Sequence, residues 1–154
     1  MIKPHLAEYI NFKFFDSEKE CVIIPDKLDL YHTIWDLMEK RPDNCFRDEG
    51  NVLVGLPDRR IGKDPAYYNY LGIRSVEIIQ KRIETMLHAE FRAFMDENKQ
   101  RKGITYKDSS YEFIFKYNIL SLSPDAIYKD FYRWRKTVVG RITTTRNYEY
   151  KNQK

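Results

Sequence analysis

Lys129, Tyr132, Arg133 and Lys136 recur at the three- and four-residue steps that bring side chains to one side of a helix. Lys and Arg in such a row meet phosphate oxygens, while Arg133 or Tyr132 among them can reach base edges. All four lie in "SPDAIYKDFYRWRKTVVGR", residues Ser123 to Arg141. At about 100° per residue, Ile127, Phe131, Trp134 and Val138 form the opposite, apolar stripe, with Tyr128 and Arg135 at its margins. The pattern predicts a helix that buries one side and presents a basic, aromatic side to double-stranded DNA. The competing expectation is an ordinary solvated face. Arg141 and Arg146 follow Gly140 and are expected to extend the cationic track, or to reach a minor groove as an arm.

A second cationic group, Arg59, Arg60 and Lys63, lies in "GLPDRRIGKDPAYYNY" between an expected strand and an expected helix. A phosphate-binding loop has two glycines separated by four residues, followed by Lys and a hydroxyl residue. Here six residues separate Gly55 from Gly62, and Asp64 stands where a hydroxyl would hold magnesium. A nucleoside triphosphate is therefore not expected in this loop. Its cations are expected to touch a nucleic-acid backbone or an acidic partner, or else to pair with nearby carboxylates.

Catalytic patterns are weaker. Asp58 with Glu97 and Lys99 loosely matches a nuclease arrangement, but Glu97 falls at a helix end, away from any strand that would align a metal. Tyr67, Tyr68 and Tyr70 lack the adjacent base that a tyrosine nucleophile needs. Cys21 and Cys45 show no paired spacing, and His5, His32 and His88 are scattered, so neither a structural zinc site nor a catalytic triad is readable. No catalytic residue, metal or cofactor is expected, and the chain is read as not an enzyme.

Composition agrees with a globular chain: 42% of the 154 residues are hydrophobic and 32% charged. The net charge of +4 is small, but its distribution is uneven. From Arg101 onward there are 12 Lys and Arg against 5 Asp and Glu, whereas the first 100 residues hold 15 against 18. That asymmetry predicts an anionic partner for the carboxy-terminal third. The sequence contains no run of the length of a membrane span and no signal-peptide apolar region, so a cytoplasmic location without membrane contact is expected.

These side chains need positioning elements. "YINFKFFDSEKECVIIP" alternates Ile10, Phe12 and Phe14 with polar residues and returns through a β-branched run, which predicts a β-hairpin over Tyr9 to Pro25. "LDLYHTIWDLMEKRP" predicts a short helix capped by Asp29 and stopped before Pro42. "CFRDEGNVLVGLP" predicts a second, smaller hairpin turning at Gly50. Asp64 and Pro65 read as the start of another helix. Ser75 to about Asn98 forms the longest periodic segment, ended by "NKQRKG". Ser109 and Glu112 have the capping-box spacing, and Ser123 with Pro124 opens the basic helix.

The predicted fold is α+β: an amino-terminal hairpin-rich unit with a short helix over 1–63, then a helical unit over 64–140. That unit carries a long central helix and ends in two short helices in a helix-turn-helix-like arrangement. Residues 141–154 form a basic tail, frayed or strand-like, and the two units pack as one globular domain. The function this predicts is that of a DNA-binding accessory or regulatory protein. The alternative is a non-enzymatic interaction or assembly factor, from a phage or other mobile element, that binds a protein partner or a second copy. It rests on an aromatic content of 15%, since tyrosine and arginine are enriched at interface hot spots.

Overall fold

The long periodic segment becomes α3, Ile73–Glu97, in a computed structural model that describes residues 1–45 and 50–151, with side chains as far as residue 140. Its buried side chains, Ser75, Ile79, Ile83, Leu87, Phe91 and Met95, repeat every four residues and make one continuous face. Around it are arranged α1 (Pro4–Phe14), a two-stranded hairpin of β1 (Phe15–Asp16) and β2 (Cys21–Val22), α2 (Asp29–Leu37), α4 (Tyr106–Lys116) and α5 (Pro124–Lys151). Both halves of the chain contribute to a single core, from Leu6 and Tyr9 through Ile34 and Phe91 to Phe113 and Phe131. The architecture is therefore mixed α+β, with an amino-terminal hairpin and a long central helix.

The hairpin is shorter than its alternation predicts. The antiparallel pairs are Phe15 with Val22 and Asp16 with Cys21, while Tyr9 to Phe14 belong to α1. The winning signal is Pro4 in the first turn, followed by Leu6, Ala7, Tyr9 and Ile10, which share one buried helical face. Phe12, placed inward by the strand reading, is 56% exposed. The turn forms as expected, with Asp16 Oδ1 accepting from the Glu18 and Lys19 amides at 2.9 and 3.1 Å. The second hairpin falls partly on residues 46–49, outside the described residues. Its later half instead runs beside β2, with Val54 and Val22 in a parallel bridge. Gly55 packs closely there: a Cβ would lie 2.5 Å from Ile23 Cδ1, so the end of that side chain would have to move.

The helix read at Asp64 is a single turn. The Tyr67 and Tyr68 amides donate to the Asp64 carbonyl, and the chain then straightens so that Tyr70 bridges Glu39. For α2, Asp29 is the first helical residue and Leu28 the cap; Asp29 instead pairs with Arg82 at 3.2 Å. The α4 cap lies earlier than the Ser109–Glu112 spacing suggests. Thr105 Oγ1 accepts from the Asp108 amide at 3.1 Å, since Ser109 is buried on the inner face. Glu112 instead accepts from the Asn98 amide group at 2.9 Å. Between α3 and α4 a π-helical turn, Asn98–Lys102, closes on Gly103 in the left-handed conformation, φ +69°.

The carboxy-terminal pair departs from a helix-turn-helix in two respects. Residues 117–123 link α4 to α5, a longer connection than the three to four residues of that motif, and Asn118 within it has φ +48°. The second helix is not short: α5 has 28 residues and passes through Gly140 instead of ending there. The expected frayed or strand-like tail from 141 is thus helical backbone to Lys151, and residues 152–154 lie outside the description. Its start is as expected, with Ser123 Oγ accepting from the Ala126 amide at 3.2 Å.

Candidate nucleic-acid interface

Three contacts set the rotation of α5. Ile127 and Phe131 are buried, and the Phe131 ring meets Phe91 of α3 edge-on at 6.0 Å. Asp130 Oδ2 lies 3.5 Å from His88 Nδ1 of α3. Trp134 is half-buried, not fully enclosed, and its outer surface is covered by the Arg92 guanidinium at 4.1 Å from the ring centroid. With those residues turned inward, Lys129, Tyr132, Arg133 and Lys136 stand on the outward side, and all four are exposed. Tyr132 stacks at a tilt on Tyr128, with ring centroids 5.3 Å apart. Desolvation, followed by the neighbouring Tyr132, pushes the Tyr128 phenol above its usual value, so it stays a neutral donor.

Among the described residues no carboxylate pairs with Lys129, Arg133, Arg135 or Lys136. Arg135 lies against the Tyr106 ring of α4, 4.9 Å from its centroid, and Lys99 of the π-helical turn approaches the same ring at 5.9 Å. Lys99 is thus brought to the edge of the α5 surface. The sequence showed a basic run closing α3, but its spacing carries no sign that Lys99 and Arg135 share one aromatic platform. Arg141 and Arg146 continue the backbone of α5, and their side chains lie outside the described residues.

The loop cations occupy a different place. Arg59 lies over Trp35 at 4.8 Å and Tyr31 at 5.5 Å, beside His32 Nδ1. Lys63 donates to the carbonyls of Trp35, Asp36 and Met38 at 3.0, 2.7 and 2.8 Å, so its ammonium closes the carboxyl end of α2. Arg60 is exposed. No hydrogen bond, ion pair or ring contact joins this loop to α5 among the described residues. The two groups form separate surfaces, and Lys63 is engaged in holding the fold.

Elsewhere, Glu90 accepts from the Tyr9 and Tyr117 hydroxyls and pairs with Lys13, linking α1, α3 and α4. This cluster ties helices together. No helix among the described residues is long and apolar enough to cross a membrane, and no group of three or more His, Cys, Asp or Glu there could hold a metal ion. Compared with protein-family models, with curated proteins and with solved structures, the chain matches none.

Proposed function

We propose that the chain is a non-enzymatic DNA-binding accessory or regulatory protein of the cytoplasm, holding duplex phosphates along the outward side of α5. One observation carries this reading: Lys129, Arg133, Arg135 and Lys136 are exposed and free of carboxylate partners among the described residues. Charges held without counter-charges keep their full attraction for a polyanion, and each phosphate contact releases a condensed counterion. Lys99 adds to the rim of that surface. The binding element is a long exposed helix instead of the short second helix of a tight helix-turn-helix.

The test is a salt titration against one duplex. For each of Lys129→Ala and Lys136→Ala, the slope of log affinity against log salt falls by about 0.9. Both changes weaken all sequences alike, whereas Arg133→Ala also relaxes preference at one base pair by about 1–3 kcal/mol if its fork grips a guanine edge. Unchanged slopes in all three folded variants would overturn the reading.

The second reading, an assembly factor from a phage or mobile element, is favoured by the outer face of α4. Tyr111 and Phe115 stand one turn apart there, and Phe115 is 90% exposed.

A further inference from the structure

A second surface, independent of α5, is built where the chain on either side of the Glu39–Tyr70 bridge faces the segment beside β2. It encloses an open cavity of about 630 Å³, within the usual range for small-ligand sites. Its lining brings together Lys40 and Arg41, Tyr67 and Asn69, and the apolar Leu53 and Leu56. The spacing of the sides is held by backbone: Glu39 and Tyr70 exchange two hydrogen bonds, at 3.0 and 3.1 Å, and Val54 bridges Val22. Lys40 and Arg41 therefore follow a residue pinned to the segment that bears Tyr67 and Asn69, and the Lys40 ammonium lies 5.6 Å from the Tyr68 ring centroid.

The chemistry of the lining is selective. Among the described residues no carboxylate lines the cavity, and neither cation is in an ion pair. Tyr67 is 70% exposed and Leu53 69%, an energetic cost unless something flat and apolar covers them. The Asn69 amide nitrogen donates to the Ala66 carbonyl at 3.0 Å, which fixes the side chain and leaves its oxygen as an acceptor. Two cations, an aromatic ring, a leucine and a fixed amide oxygen on one lining match a phosphate, a base and an exocyclic amine.

We infer that this cavity binds one nucleotide unit, its base stacked on Tyr67 and its phosphate between Lys40 and Arg41. The same chemistry is offered by a free nucleoside monophosphate or by one nucleotide of a single strand. Calorimetric titration of the full chain with deoxyadenosine monophosphate and with an adenine octamer separates these sources. Binding of the monophosphate assigns the site to free nucleotide, and binding of the octamer alone assigns it to a strand.

In either case Tyr67→Ala weakens the affinity about 5- to 150-fold, as loss of one base stack does. Arg41→Ala weakens it as well, with a smaller salt dependence. Both side chains are on the surface, so circular dichroism of the variants should match that of the parent chain. The inference is overturned if neither probe binds, or if both variants bind as the parent does. Octamer affinity lost in Lys129→Ala and Lys136→Ala but retained in Tyr67→Ala would also overturn it, while leaving the α5 reading intact.

Discussion

The guanidinium of Arg92 covers the indole of Trp134, 4.1 Å from its centroid, and so closes the seam between α3 and α5. A residue expected in the apolar core is instead capped by a cation. This changes the expected cost of removing it, because part of its stabilisation is shared with Arg92. A double-mutant cycle with Arg92→Ala and Trp134→Ala is expected to give a coupling of about 0.5–2 kcal/mol by chemical denaturation. Strict additivity would show that the two side chains do not stack in solution.

Lys63 and Lys99 are expected to behave oppositely. Lys63→Ala removes three bonds to the end of α2 and should lower stability by about 1–3 kcal/mol, with the duplex salt slope unchanged. Lys99→Ala should leave the denaturation midpoint nearly unmoved and reduce that slope. Denaturation and salt titration of both variants check the pair, and a reversed pattern would relocate the interface to the Arg59 loop.

Gly62 is expected to tolerate no side chain. Its φ is +118°, and a Cβ would lie 2.8 Å from the Trp35 ring. Gly62→Ala should therefore cost about 1–3 kcal/mol, read as a lower melting temperature, and should disturb the fluorescence of the Trp35 region.

Acid is expected to destabilise the fold progressively. Burial of Glu90 opposes its charge, but the Lys13 contact and the Tyr117 and Tyr9 hydroxyls outweigh that and hold its carboxyl below the usual range. The Lys3 hydrogen bond lowers Glu84 in the same way, and burial, then Lys3, lowers His5. A carboxylate depressed in the folded state contributes its full stability above the unfolded value of about 4.3 and loses it as pH falls through the folded value. A depressed histidine acts in the same direction: below about pH 6.5 the unfolded chain takes the proton first. The urea midpoint should thus fall from pH 7 to pH 3, and Glu90→Gln should flatten the carboxylate part while costing about 1–3 kcal/mol at pH 7.

Alkali acts through the same cluster. Burial and then Glu90 push the Tyr9 and Tyr117 phenols far above the usual tyrosine value, so the unfolded chain loses these protons first. Stability should decline as pH rises past about 10, with two tyrosines absent from the ultraviolet titration until unfolding.

Local signals in the sequence determined α3, the basic run and Gly103 beyond it, the Ser123–Pro124 start of α5, the Asp16 turn, and which side of α5 carries the cations. Each depends on neighbours within a few residues, where spacing and capping chemistry are sufficient. The alternation of Ile10, Phe12 and Phe14 misled because helical and strand periods coincide over short apolar runs. Pro4 in the first turn, together with the packing of Leu6, Tyr9 and Ile10 into the core, decided for α1. Tertiary structure alone decided that Lys63 would close α2, that Arg92 would cover Trp134, and that Lys99 and Arg135 would meet on Tyr106. It also placed Tyr67, Lys40 and Arg41 on the lining of one cavity. Apart from Lys99 and Tyr106, those relationships join residues 25 or more positions apart, whose meeting depends on how whole helices pack, and no local spacing encodes it.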